Sequence, residues 1–278
     1  MPLRATVTVN NLEFQYFEDG PPDGPAVVLL HGFPQNHREW DAVVDRLNDA
    51  GIRSIALDQR GYSPGARPAG VANYAVPLLV GDVIGLLDAL NLPTAHVAGH
   101  DWGAIVTWQL VAHFPDRFLG AVPVSVPHPV AFGEALRADP DQQQMSRYFE
   151  LFRTEGKAEE VLLGNNAAAL RTIFTGLEPD AVQAYVELLS QPGALTAALN
   201  WYRAVDFNAI PEMPEIRNPI TFVWGSDDAA LGRVGAEATG SKVAGPYEFI
   251  ELPGVDHWVP ERAPDVVANA IIKQVHAA

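Results

Sequence analysis

A chain of 278 residues, 48% of them hydrophobic, can bury a substantial core as one large domain or as a core with an inserted subdomain. Its formal net charge of −16 argues against a nucleic-acid binder, which needs a basic surface for phosphates, and against docking on an anionic membrane; acidity of this kind serves solubility. The absence of cysteine excludes disulfides, a thiol nucleophile and cysteine-rich metal sites.

Met1 to Asn10 alternates as a strand would and lacks the apolar core of a signal peptide. No apolar run approaches the roughly 18 residues of a membrane span, so a cytoplasmic protein is expected. Short strands are predicted at about Ala5–Val9 and Leu12–Phe17, followed by a turn marked by Pro21, Pro22, Gly24 and Pro25. The unbroken apolar run Ala26–Leu30 suits a strand buried on both faces of a parallel sheet. Trp40, Val43, Val44 and Leu47 then fall at helical spacing, and Gly51 closes that helix.

The alternation continues. Ile52–Leu57 reads as a strand, Val76–Leu90 as a helix, Ala95–Gly99 as a strand, Ala104–His113 as a helix and Leu119–Val126 as a strand. Ile220–Trp224 and Phe249–Leu252 are later strands, and a final helix carries Val266, Val267, Ala270, Ile271 and Val275. Strand and helix in alternation imply an α/β architecture, a mostly parallel sheet covered on both faces. Between Val126 and Pro219 the pattern is helical, and a structureless loop of that length is implausible in a compact domain. The expected division is a core of residues 1–127 and 213–278 with a helical cap at 128–212.

Gly99-His100-Asp101-Trp102-Gly103 joins a strand to a helix. Such a sharp turn has no room for side chains two positions before and after its centre, and it thrusts the central side chain out at the carboxyl end of the sheet. The centre here is Asp101. A carboxylate is ionised at neutral pH and needs no base before it attacks, and it suits displacement at saturated carbon with formation of an ester. Cleaving that ester requires a base to activate water. His257, after the last strand, fits this role. Asp228, in Gly225-Ser226-Asp227-Asp228, is the acid chosen to orient it, with Asp227 as the alternative; Phe118 to Gly133 contains no acid that could replace them. The backbone N–H groups of Trp102 and of Phe33, in His31-Gly32-Phe33-Pro34, are expected to form the oxyanion hole. A cis bond at Pro34 would fix that turn. His31, His100, His128 and His257 show no metal-ligand spacing, so neither a metal nor a cofactor is expected.

His31-Gly32-Phe33-Pro34, Gly99-His100-Asp101-Trp102-Gly103 and the late Asp228/His257 pair resemble the epoxide hydrolases of the α/β-hydrolase fold over nearly the whole chain. The resemblance implies a mostly parallel eight-stranded sheet with an inserted helical cap. It also implies that two cap tyrosines donate to the epoxide oxygen. Leu199-Asn200-Trp201-Tyr202-Arg203 is similar to the second tyrosine motif of the family and points to Tyr202. Tyr148-Phe149-Glu150-Leu151-Phe152 looks like the first and points to Tyr148. Met145, Tyr148, Phe149 and Phe152 also read as one apolar helical stripe, as packing alone would produce.

Haloalkane and fluoroacetate dehalogenases share the elbow. The former typically carry Asn where this chain has Phe33, and the latter carry arginines where it has Trp102 and Ile105. A neutral, largely apolar small-molecule substrate is therefore expected, with His31, Phe33, Pro34, Trp102, Phe149, Phe152 and Trp258 around it. The expected activity is addition of water to an epoxide through an Asp101 ester. A dehalogenase with the same nucleophile, and a non-catalytic ligand-binding relative, are the alternatives. The sequence leaves the oligomeric state open, a homodimer included.

Overall fold

Val27 and Leu29 point to one face of the sheet, Val28 and Leu30 to the other, and all are fully buried. This double burial explains the unbroken apolar run. The computed structural model describes residues 3–207 and 209–277. Its strands are β1 (Leu3–Val9), β2 (Leu12–Asp19), β3 (Ala26–Leu30), β4 (Arg53–Leu57), β5 (Ala95–His100), β6 (Phe118–Val124), β7 (Ile220–Gly225) and β8 (Tyr247–Leu252). They form one eight-stranded sheet in the order β1-β2-β4-β3-β5-β6-β7-β8. β1 and β2 are antiparallel to their neighbours, and β4 through β8 run parallel. The β1–β2 hairpin turns on Asn10 and Asn11, both at positive φ, a conformation that Asn tolerates well.

Helices α1 (Asp41–Asp49) and α12 (Pro264–Ala277) cover the face of Val27 and Leu29; α2 (Val76–Ala89) and α3 (Trp102–His113) cover the other. Gly51, at φ 73°, ends α1 as expected: its N–H donates to Asn48 and that of Ile52 to Leu47, satisfying the last carbonyls. β6 stops two residues short of its expected end, where Ser125 takes φ 66° and turns the chain out of the sheet.

Between β6 and β7 lie α4 (Pro129–Ala138), α5 (Pro140–Met145), α6 (Tyr148–Phe152), α7 (Lys157–Ile173), α8 (Pro179–Leu189) and α9 (Ala194–Arg203). The expected stripe from Met145 to Phe152 is split across α5 and α6, because the chain turns at Ser146–Arg147. Inside α7, Gly164 is extended and Asn165, Asn166 and Ala167 take left-handed angles, which breaks the helix in two. Two short helices, α10 (Arg233–Ala238) and α11 (Val259–Arg262), complete the core. Among the described residues no helix is long and apolar enough to cross a membrane.

α9 is anchored to the core by Trp201, whose Nε1 donates to the Arg60 carbonyl at 2.9 Å. Arg60 is itself buried and clamps Asp82 of α2 with two bonds of 2.7 Å. Burial pushes the Asp82 carboxyl up, and the Arg60 contact opposes this. Asp82→Ala would leave the guanidinium buried without its counter-charge, at a cost of about 3–5 kcal/mol. Urea denaturation should show that loss; an unchanged midpoint would mean the pair contributes nothing to holding α2 under α9.

Candidate active site

Asp101 links β5 to α3 at φ 50° and ψ −118°, and its side chain caps no N–H of the helix it precedes. The chain can turn here only because its neighbours lack side chains. A Cβ on Gly103 would lie 1.9 Å from the Leu30 carbonyl oxygen, and one on Gly32 would lie 2.4 Å from the Asp101 Cβ. Gly99 has the same constraint against Gly103. The turn therefore sets the Asp101 carboxylate, 7% exposed, directly against the loop that follows β3.

The two carboxylate oxygens have different surroundings. Oδ1 accepts the Phe33 N–H at 2.8 Å. Oδ2 faces His257 Nε2 at 3.6 Å, an ionic contact longer than a hydrogen bond. His257 Nδ1 meets Asp228 Oδ2 at 2.8 Å, and Asp228 Oδ1 accepts the N–H groups of Ala230 and Leu231. Asp227 instead takes the Ser226 hydroxyl, and Asp256 pairs with Arg262. Burial alone would push the Asp101 carboxyl up, but His257 and the Phe33 N–H outweigh it and hold Asp101 below its ordinary value. Burial likewise works against an imidazolium at His257; Asp228 and Asp101 together overcome it and raise that pKa.

Tyr148 opens α6 and Tyr202 lies in α9, with ring centroids 6.2 Å apart. Tyr202 packs edge-on against Phe33 at 5.3 Å and Trp102 at 5.0 Å, the residues that flank Asp101. Phe149 and Phe152 complete this cluster. Burial raises both phenol pKa values well above 10, and the Asp101 charge adds to the effect at each. Both hydroxyls therefore keep their protons at neutral pH.

His31, expected beside the substrate, has its ring turned to the backbone. It is fully buried and both ring nitrogens are committed to backbone, Nδ1 to the Gly32 carbonyl and Nε2 to the Gln59 N–H. Burial lowers its pKa to about 4, so it is a neutral brace for the loop. Trp258 is also buried, between His257 and Phe174. The Phe33–Pro34 bond is cis. Sequence reasoning missed Glu39, Ser125, Gln35 and Glu261. Ser125 Oγ donates to the His257 carbonyl at 3.0 Å. Gln35 Nε2 and the Tyr185 hydroxyl both donate to Glu261. A polar residue in a loop or a short helical turn gives no outward sign that it folds inward.

A cavity of about 750 Å³ lies beside this constellation. Trp102, Phe207, Val76, Val80, Ile105 and Phe132 are among the residues that line it. Trp102, which follows Asp101 in the chain, lines the cavity, whereas Asp101 and the two tyrosines do not.

A glycine-flanked turn presenting Asp101 on a mostly parallel sheet, followed in chain order by an acid and a histidine, defines the class: the chain belongs to the α/β hydrolase family, which it matches over residues 27–270. It is 33% identical over 277 residues to AB hydrolase superfamily protein YfhM of Bacillus subtilis, covering 96% of both chains. It is 32% identical to Epoxide hydrolase 2 of Caenorhabditis elegans, covering 96% of this chain and 78% of that one. The crystal structure of Epoxide Hydrolase A from Mycobacterium thermoresistibile is similar with a TM-score of 0.87 at 28% identity, covering 99% of this chain and 98% of that one.

The electrostatic coupling of Asp101 to His257 can be measured directly. Asp101→Asn removes one of the two charges that raise the His257 pKa. The imidazole of that variant should titrate at lower pH than in the wild type when followed by NMR. An unchanged or higher midpoint would show that the two groups do not communicate.

Proposed function

We propose that the protein is an epoxide hydrolase that adds water to an oxirane to give a vicinal diol, with residues 128–212 acting as a cap over a core of residues 1–127 and 213–278. The observation that carries the proposal is the packing of protonated, buried Tyr202 on Phe33 and Trp102, the residues that flank an ionised Asp101, with the ring of protonated Tyr148 set against Tyr202. An alkoxide leaving group needs such an acid. The names of the relatives from Caenorhabditis elegans and Mycobacterium thermoresistibile support the same reading.

Because the Phe33 N–H occupies Oδ1, Oδ2 is the attacking atom. It forms a bond to a ring carbon while the ring C–O bond breaks, and a tyrosine hydroxyl gives its proton to the departing oxygen. Esterification removes the charge of Asp101. One of the causes that raised the His257 pKa is then gone, so that pKa falls and the imidazole gives up its proton to solvent, which leaves it free to accept one at the step that needs a base. His257 takes a proton from water, and the hydroxide adds to Cγ of Asp101. The Phe33 and Trp102 N–H groups hold the resulting oxyanion on Oδ1, a contribution of about 2.7–4 kcal/mol per donor. Collapse breaks the Cγ–Oδ2 bond, the departing diol oxygen takes the proton of the hydroxyl just added to Cγ so that Asp101 returns as a carboxylate, and the tyrosine regains its proton from His257 through solvent.

The substrate is neutral and largely apolar. Ile105 and Trp102 offer no cation to a substrate carboxylate, and the described residues lining the neighbouring cavity include no Arg or Lys. Tyr148→Phe and Tyr202→Phe should each lower kcat/KM toward styrene-oxide-like epoxides by about 10²-fold, because each removes one proton donor. His257→Gln should accumulate a substrate–protein ester visible by intact-mass analysis, whereas Asp101→Asn should form none. Rapid diol release by His257→Gln, with no adduct, would overturn the two-step scheme.

A further inference from the structure

None of these steps uses Glu39, a carboxyl that is fully buried beside them. It sits in the helical turn His37–Trp40. Its Oε2 accepts the Gly32 N–H at 3.3 Å and lies 3.3 Å from His100 Nδ1. The other nitrogen of that ring, His100 Nε2, is 2.9 Å from the backbone carbonyl oxygen of His257. A carbonyl oxygen can only accept, so Nε2 carries a hydrogen. Two arrangements satisfy this. Either a neutral His100 presents a bare Nδ1 to a protonated Glu39, or an imidazolium faces a carboxylate. Both place one proton between the two residues.

The surroundings choose the neutral arrangement. The titratable groups that face Glu39 are Asp101 from the elbow, His257 from the loop after β8, Glu261 from α11, Tyr185 from α8 and Tyr62 from the loop after β4. Only His257 is a base, and Asp228 and Asp101 already engage it. An ionised Glu39 would set a second negative charge near Asp101, with one of its oxygens buried and without a hydrogen-bond partner among the described residues. Burial, reinforced by Asp101, raises the Glu39 pKa, and burial lowers that of His100 to about 4.

We infer that Glu39 is a resident neutral acid that donates its proton to His100 Nδ1 and thereby positions His257 for hydrolysis of the Asp101 ester. The inference rests on the epoxide-hydrolase reading above. Glu39 joins three catalytic segments that are remote in sequence: Gly32 precedes the Phe33 donor, His100 precedes Asp101, and the His257 carbonyl belongs to the base itself. Ester formation needs only Asp101 and the tyrosines. Ester hydrolysis needs His257 correctly placed across its 3.6 Å gap to Asp101. Loss of Glu39 therefore slows the second half-reaction more than the first.

The test compares Glu39→Gln with Glu39→Leu in single-turnover reactions with styrene oxide. The Gln amide can still donate to His100 and forfeits one long contact, so ester hydrolysis should fall by no more than about tenfold, the worth of one neutral hydrogen bond. Glu39→Leu should slow it by about 10²-fold and let the ester accumulate, with ester formation changed much less. If Glu39→Gln is as impaired as Glu39→Leu, Glu39 acts as an anion and the inference is wrong. Infrared spectroscopy decides the point should the Leu variant not fold. The difference between wild type and Glu39→Gln at neutral pH should contain a protonated-carboxyl C=O stretch, and a carboxylate band in its place would overturn the assignment. That readout does not involve turnover. If no epoxide alkylates the wild-type protein while the band is present, the functional reading fails and the proton assignment stands.

Discussion

The hydrogen bond from the Phe33 N–H to Asp101 Oδ1 joins the ends of two parallel strands, β3 and β5, and the arrangement of the site follows from it. It exists because Gly32 has no Cβ to collide with Asp101, and because Gly103 lets α3 begin against the Leu30 carbonyl. It makes the two carboxylate oxygens unequal. One is held by the backbone where a tetrahedral intermediate would place its charge, and the other is left toward the open side of the turn and His257. A freely rotating carboxylate would provide neither the fixed nucleophile nor the preorganised oxyanion site that the proposed mechanism needs.

The same region shows how burial and charge divide the work among its ionisable groups. Asp101 stays ionised although buried, because a histidine and a backbone N–H face it. The tyrosines stay protonated because they are buried near that charge. His31 and His100 are neutral because burial dominates their environments, whereas His257, flanked by two carboxylates, is the one histidine of the three whose pKa rises. In the proposed mechanism acid, nucleophile and base are thus distinguished by what surrounds them, and ester formation would change that balance in the direction the next step requires.

Much of the fold is legible in the sequence because its signals are local. Ala26–Leu30 announces a doubly covered strand, Gly51 a helix end, and the spaced glycines around Asp101 a turn that no other residue fits. Signals that depend on tertiary packing are not legible in this way. Asp228 is preferred over its neighbour Asp227 only by its spacing from Gly225, and the pairing itself appears when the chain bends and brings Asp228 to His257. Tyr148 and Tyr202 read equally well as packing residues, and only resemblance to a family singles them out. His31 looks like a pocket residue, yet both its nitrogens face inward to backbone. Glu39 lies in a polar stretch that reads as surface, and nothing local reveals that the turn folds it under Gly32. The large cavity arises from packing of α2, α3, α4 and the segment after α9, which no single stretch encodes.

The central claim is that water attacks the Asp101 ester and never the epoxide. A single turnover in heavy-oxygen water, with protein in excess over epoxide, tests it most directly. The account predicts that the heavy atom appears in the peptide containing Asp101 and that the diol from that turnover carries none, since its new oxygen comes from Asp101 Oδ2. Heavy oxygen in the first-turnover diol, with Asp101 unlabelled, would contradict it.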